Sequence, residues 1–310
     1  MLTIIIPSYK REYYLNKCVS SIINEINSIE LKKNIKIIII LNSNQNYLLK
    51  KIENRVKKKK ITNQFIFNNT NIGLTGSINK SIKFSDTKYC MILDDEIIIK
   101  KGSLKHLLYF LKKNETSILV GKILPYFAKS IPKDNDKKIL KNLKKKLKKN
   151  KVEKDFTLIN FGSKIKKINS KFGFMSMQVF KKKDYIMCGG YGPDGMSGKK
   201  TLMNGNGETN FTSCYKSIIY LPSLVGYHAI DNKIQKKYLS KRHFYYGIND
   251  SFENIRSKNN FFLMLSLIKF FLNTILFKKT DNRYYYCKGY FLHLLNFFLS
   301  GKEFRTYCLR

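Results

Sequence analysis

An α/β fold with a mixed, mainly parallel sheet flanked by helices is predicted by three features of the first hundred residues. Short β-branched runs recur, most of them are nearly continuously apolar, and helical patterns separate them. Parallel strands are buried on both faces, so they read as unbroken apolar runs rather than alternating ones. A strand-helix-strand-helix order then requires a sheet covered on both sides.

The strands are expected at Leu2 to Ile6, Ile35 to Leu41, Gln64 to Phe67 and Tyr89 to Leu93. Between the first two, Leu15, Cys18, Val19, Ile22, Ile26 and Ile29 keep to one helical face. Ser77 to Phe84 reads as a shorter helix, and after the fourth strand Leu104, Leu107, Leu108 and Leu111 line one face of another. Lys133 to Lys154 carries eleven lysines and three acids around Ile139, Leu140, Leu143 and Leu147. Two readings of it stand: an amphipathic basic helix that touches a membrane, or a solvated surface insertion. Phe156 to Tyr227 is strand-like and glycine-rich, with a long loop expected at Gly189 to Glu208. In the tail, Phe261 to Phe277 is strongly apolar yet contains Lys269 and Asn273, and it is barely long enough to span a bilayer. Tyr290 to Leu299 is shorter and includes His293 and Asn296. Aromatic-rich helices of this kind suit an interfacial position or packing onto the main domain.

A chain of 310 residues accommodates one large α/β domain and a C-terminal extension. With 43% hydrophobic and 14% aromatic residues it is not a disordered polymer. The formal net charge of +38 favours polyanions: nucleic acid, anionic lipid or diphosphate ligands. The excess is nearly all lysine and accompanies abundant Ile and Asn, as an AT-rich coding sequence would also produce, so charge alone decides little. Cys18, Cys90, Cys188, Cys214, Cys287 and Cys308 form no C-x-x-C pair and no metal-ligand spacing. With no signal peptide visible and Met1 leading straight into a strand, free thiols in a reducing compartment are expected.

Ligands of open α/β sheets bind outside the carboxyl ends of the strands. Asp94-Asp95-Glu96 stands there, directly after Tyr89 to Leu93. Three successive carboxylates repel one another unless a cation neutralises them, and hard oxygen ligands suit Mg²⁺ or Mn²⁺ bridging to diphosphate. The plain alternative is an acidic turn.

Several segments, in order, resemble family 2 glycosyltransferases. Ile4-Ile5-Ile6-Pro7-Ser8-Tyr9-Lys10-Arg11 is similar to that family's opening strand and P-S/T-Y-N-R motif. Asn71-Ile72-Gly73-Leu74 through Asn79 resembles its N-x-G stretch, and Asp94-Asp95-Glu96 its D-x-D metal motif. Cys188-Gly189-Gly190-Tyr191-Gly192-Pro193-Asp194 looks like the segment before the acceptor loop, and Gly205-Asn206-Gly207-Glu208 stands in place of the catalytic motif. Leu221-Pro222 and Val225-Gly226-Tyr227-His228 resemble the family's closing P-x-x-x-V-x-x-H. The resemblance covers roughly residues 1 to 130 and 170 to 256.

It implies a Rossmann-like GT-A catalytic domain over residues 1–230, with a nucleotide-sugar half at about 1–100 and an acceptor half at about 101–230. The basic insertion would lie at about 133–154, and 231–310 would be a helical C-terminal extension, either membrane-associated or packed on the core. By the resemblance, Pro7, Tyr9, Arg11, Asn42, Asn71, Gly73, Asp94 and Asp95 meet the donor. Glu96, Asp94 and His228 hold Mg²⁺ or Mn²⁺, Asp194 contacts the acceptor, and Glu208 is the catalytic base. The sequence departs from the pattern in three places: Glu96 stands where Asp is usual, Asn42 follows the second strand where Asp is usual, and Asn206 and Thr209 replace acids beside Glu208. For Glu208 an exposed loop acid is the competing reading, for His228 a satisfied strand histidine, and for Asp194 a turn residue.

The implied activity is inverting transfer of a sugar from a nucleotide-diphospho-sugar to a saccharide or lipid-linked acceptor in cell-surface polysaccharide or glycan synthesis. It would be cytoplasmic and peripheral on the inner face of the plasma membrane, with an anionic membrane surface as a further partner. A sugar nucleotidyltransferase would need a glycine-rich phosphate loop after the first strand, and Pro7 to Arg11 contains no glycine. A non-catalytic nucleic-acid or membrane binder would concentrate its basic and aromatic residues, whereas lysines here are scattered outside 133–154.

Overall fold

The continuous apolar runs become the central strands of a sheet because nothing on them needs water. The computed structural model describes residues 1–27, 34–42, 46–58, 61–128, 134–192, 211–231, 236–256 and 282–300. Strands β1 (Leu2–Ser8), β2 (Ile35–Leu41), β3 (Thr62–Phe67) and β4 (Tyr89–Leu93) pair in parallel in the order β3-β2-β1-β4. Every residue of β1 and β4 is buried, whereas the edge strand β3 is more polar and partly exposed. Strand order reverses at β1, which opens a crevice between the carboxyl ends of β1 and β4.

The sheet continues through β10 (Met177–Lys181), which is antiparallel to both β4 and β6 (Ile118–Tyr126) and leads into helix α6 (Lys182–Met187), and then β11 (Ser217–Ala229), parallel to β6. The three-residue β5 (Ile97–Ile99) closes the order against β11. Short strands β7 (Val152–Glu153), β8 (Leu158–Ile159) and β9 (Lys166–Asn169) attach to the side. The predicted α/β architecture of a mixed sheet flanked by helices is therefore observed.

Helix α1 (Glu12–Asn27) buries the predicted face, Leu15, Cys18, Val19, Ile22 and Ile26, while Ile29 lies outside the described residues. Its Glu25 is also buried, and its carboxylate accepts from the backbone N–H groups of Gly102 at 2.6 Å and Leu104 at 3.1 Å. That caps α4 (Ser103–Lys113), which has no side-chain cap of its own, and a negative charge suits the N-terminal end of the helix dipole. Helix α2 (Asn46–Lys58) was not foreseen between β2 and β3; its three basic residues in the last turn favour the helix C-terminus. Helix α3 (Leu74–Lys83) begins three residues earlier than the apolar pattern suggests, at a glycine cap.

The basic segment forms helix α5 (Asp134–Asn150), with Leu143 and Leu147 buried and the lysines around them exposed. Both proposed readings are thereby narrowed: the helix exists, and these two leucines pack within the protein. Strand β11 is irregular between Leu221 and Val225, where its register against β6 shifts. Gly121 of β6 faces this irregularity; a Cβ there would lie 2.5 Å from the Leu224 carbonyl oxygen, so no larger residue fits without moving backbone.

The chain divides into two compact units, Met1–Gly192 with Gly207–Asp231, and Pro193–Asn206 with Asn232–Arg310. Within the second, α7 (Lys236–Arg256) and α8 (Asn282–Ser300) pack backbone to backbone. A Cβ on Gly247 would meet the Tyr286 carbonyl oxygen at 1.9 Å, and one on Gly289 the Phe244 carbonyl oxygen at 1.9 Å. The expected helical run 290–299 lies in α8, and its Tyr290, His293 and Leu294 are buried. The run 261–277 lies outside the described residues. Among the described residues no helix is long and apolar enough to cross a membrane.

Candidate active site

The three acids follow β4 in the turn that leads into β5, at the mouth of the β1/β4 crevice. Asp95 points inward and is buried. It accepts a hydrogen bond of 2.5 Å from the Ser8 hydroxyl at the end of β1, and one of 3.3 Å from Arg11. Asp95 therefore ties the ends of two neighbouring parallel strands together. Arg11 Nη1 also lies 3.2 Å from Glu96 Oε1, so one half-exposed guanidinium bridges two buried carboxylates. Asp94 is the acid that reaches the surface, at 21% exposure.

Burial pushes the Asp95 carboxyl up to about 6, with Glu96 and Asp94 adding repulsion while Arg11 and the Ser8 hydroxyl oppose. The folded-state value exceeds the ordinary Asp value, so the folded chain holds this proton more tightly than the unfolded one. The stability it contributes is present below about pH 4 and is lost as the pH rises through about 6. The melting temperature of the parent, relative to Asp95→Asn, is expected to fall between pH 4 and pH 7. A difference that rises over this range would contradict the assignment.

His228 arrives from 132 positions further along the chain because β11 pairs with β5. His228 stands opposite Ile97 in that ladder, and the next N–H, of Ala229, donates to the Glu96 carbonyl at 3.0 Å. The imidazole is fully buried. Its Nδ1 lies 2.9 Å from the Phe156 carbonyl oxygen, which can only accept, so Nδ1 carries the proton. Nε2 then faces Glu96 Oε2 at 3.5 Å and Asp94 Oδ2 at 3.9 Å.

Among the described residues no three His, Cys, Asp or Glu side chains close into a ready-made metal cage. The donor chemistry nevertheless fits a hard divalent cation: two carboxylates and an imidazole nitrogen converge at separations longer than a hydrogen bond. The Phe156 carbonyl already orients the imidazole through Nδ1, the kind of contact by which a histidine presents its other nitrogen to a metal.

A separate polar cluster lies at the ends of β2 and β3. Asn42 is buried; its amide donates to Gly73 O at 3.3 Å, and its oxygen accepts from Asn68 at 2.9 Å and Ser77 at 2.8 Å. Asn71 accepts from the Gly73 N–H at 3.0 Å, and Gly73 takes φ 80° to open helix α3. These residues shape the loop beside the crevice. Pro7 is buried in β1 opposite Ile40, while Tyr9 is 43% exposed.

Tyr185, Tyr191, Phe180 and Phe211 form an aromatic cluster that helix α3 also meets, through Asn79. Asn79 donates to the Tyr191 carbonyl at 2.9 Å and accepts from the Tyr185 hydroxyl, fixing the chain at Gly190, whose φ is 71°. Glu208 and Asp194 lie outside the described residues. Ser8 belongs to the opening motif but carries no assigned role there, and nothing in the order of residues marks Thr157 or Ser176: hydroxyl residues are common, and which of them meet a carboxylate or an imidazole depends on the fold.

A doubly wound half-sheet with acids at its switch point, completed by antiparallel strands, is a Rossmann-like arrangement whose ligand position lies at the carboxyl ends of β1 and β4. The chain belongs to glycosyl transferase family 2, whose family model matches residues 3–182, more than half of its length. No curated protein matches the sequence. Among solved structures, the chain is similar to the S. aureus TarS 1-349 structure, with a TM-score of 0.52 at 12% identity over 79% of this chain. It is also similar to the mannosyltransferase PcManGT from Pyrobaculum calidifontis in complex with GDP-Man and Mn²⁺, with a TM-score of 0.52 at 12% identity, covering 95% of this chain and 70% of that one. GalNAc-T7 with UDP, GalNAc and Mn²⁺ matches with a TM-score of 0.51 at 12% identity, over 81% of this chain and 50% of that one. The chain spans 65% of TarS 1-349 and 38% of the longer TarS structure. At these identities the likeness is one of fold.

Proposed function

We propose that this glycosyltransferase uses a nucleotide-diphospho-sugar donor held in the β1/β4 crevice, with a divalent cation at Asp94, Glu96 and His228. The observation that carries the reading is the approach of His228 Nε2 to two carboxylates at the carboxyl end of a central parallel strand. Structures of the same fold bound to UDP-GlcNAc, or to GDP-Man with Mn²⁺, support it. A bound Mg²⁺ or Mn²⁺ would supply positive charge where the leaving diphosphate becomes more negative.

The protein's own residues prepare that place. Asp95 and Ser8 lock the two strand ends, and Arg11 offsets the charge of Asp95 and Glu96. Asn42, Asn71 and Gly73 set the loop that borders the nucleotide half, while Pro7 and Tyr9 begin the chain's exit from β1. In this reading residues 1–100 form the donor half and 101–230 the acceptor half. Asp194 meets a saccharide or lipid-linked acceptor, and Glu208 takes its proton in an inverting displacement. Synthesis of cell-surface polysaccharide or glycan is the proposed setting. The enzyme would work at the cytoplasmic face of a membrane, held by the lysine-rich surface and the 231–310 extension.

Equilibrium binding of UDP-, GDP- and dTDP-sugars with Mn²⁺ or with excess EDTA tests the donor reading. One nucleotide class should bind with Mn²⁺ and lose at least tenfold in affinity under chelation. Binding of no sugar nucleotide, or equal binding in EDTA, would contradict it.

A further inference from the structure

Among the described residues three non-glycine positions have left-handed backbone, Lys10, Lys151 and Thr157, and only Thr157 is β-branched. Its φ of 51° and ψ of 44° close the short 3-10 turn Lys154–Phe156. A branched Cβ is among the least tolerated in this region, and a turn with no other duty takes glycine or asparagine. What Thr157 adds there is a hydroxyl. That hydroxyl lies 2.9 Å from His228 Nδ1, 2.8 Å from the Phe156 carbonyl oxygen and 3.2 Å from the Ser176 hydroxyl.

The protons in this cluster have one self-consistent arrangement. The Phe156 oxygen can only accept, and Nδ1 lies 2.9 Å from it, so an unprotonated Nδ1 would set two lone pairs against each other. With Nδ1 protonated, the imidazole donates to Phe156 O and Thr157 Oγ1. Thr157 donates to Phe156 O, and Ser176 donates to Thr157. The ring is thus held from one edge by two oxygens of consecutive residues, and its other nitrogen is aimed at Asp94 and Glu96.

We propose that Thr157 is a positioning residue: beside the Phe156 carbonyl, which sets the tautomer, its hydroxyl fixes the orientation of His228 so that Nε2 is presented to a divalent cation beside Asp94 and Glu96. The inference rests on the cation reading given above. It adds that metal affinity depends on a hydroxyl in the segment between α5 and β9, away from the strand ends that carry the acids.

Mn²⁺ binding to the full chain, followed by loss of the free ion's electron paramagnetic resonance signal, tests it without any turnover. Thr157→Val keeps the shape and removes the hydroxyl; Thr157→Ser keeps the hydroxyl. Thr157→Gly removes the hydroxyl while relieving the backbone, which guards against a folding failure of the valine variant. Circular dichroism and thermal melting verify each fold. The expected result is about a 10- to 100-fold loss of Mn²⁺ affinity in the valine and glycine variants, of the order seen when a hydrogen-bond partner of a metal-binding histidine is removed, with serine within about threefold of the parent. Parent-like affinity in folded Thr157→Val or Thr157→Gly would overturn the role of Thr157 alone, provided Glu96→Gln abolishes binding. If the parent itself binds no Mn²⁺, the cation reading fails and this inference with it.

Discussion

Glu96→Ala is expected to reduce kcat/KM by about 1,000-fold or more, because it removes both a proposed cation ligand and the partner that shares Arg11 with Asp95. The two effects separate by substitution. Glu96→Gln keeps the volume and can still accept from Arg11, yet it lacks the charge a divalent cation requires. If cation binding is the main role, Gln and Ala should be equally inactive and should lose Mn²⁺-dependent donor affinity together. If the side chain only organises Arg11, Gln should recover most of the activity. Full parental activity in either variant, or in excess EDTA, would contradict the site assignment.

Glu208→Gln is expected to lower kcat by about 100- to 10,000-fold while donor affinity stays within a few fold of the parent. In an inverting displacement the acceptor hydroxyl attacks opposite the leaving diphosphate, so its base must stand across the sugar from the carboxylates of the β1/β4 crevice. Glu208 is an acid flanked closely by glycines, Gly205 and Gly207, which leave room for a sugar to approach backbone. Turnover measured at saturating donor and acceptor reads the chemical step, and a nucleoside diphosphate titration reads the donor site. Intact turnover would remove Glu208 from catalysis and make Asp194 the next candidate. A loss of donor binding as severe as that of Glu96→Ala would place Glu208 on the donor side instead.

The central half-sheet was legible because its determinants are local. Runs such as Ile37 to Leu41 and Cys90 to Leu93 can only be buried on both faces, and the acids after Leu93 stand where open α/β sheets bind ligands. Helix α2 was harder to read: Leu48, Leu49, Ile52 and Val56 do recur at helical spacing, but they are few among lysines and polar residues, so the segment as a whole is far more polar than α1. Strands β5 and β7 to β9 are two to four residues long, too short for any periodicity to register, although β5 carries the pairing that delivers His228 to Glu96. The acids could be proposed as a site from one contiguous motif, whereas the contacts of Ser8 with Asp95 and of Thr157 with His228 depend on long-range register. Asn42 has contacts of the same long-range kind. Its position after β2 suggested a ligand contact, and the structure engages both its amide and its oxygen in a buried network with Gly73, Asn68 and Ser77. A buried amide must be satisfied, and here the neighbouring loop does it.

The most direct test of the central claim is an anomalous difference map, recorded at the manganese edge, from crystals grown with Mn²⁺ and the nucleoside diphosphate that binds in solution. The expected result is one strong peak beside the carboxylates of Asp94 and Glu96 and Nε2 of His228, with the diphosphate in the crevice between β1 and β4. A diphosphate bound in that crevice with no manganese at these three residues, or manganese and diphosphate bound together elsewhere on the protein, would contradict the account.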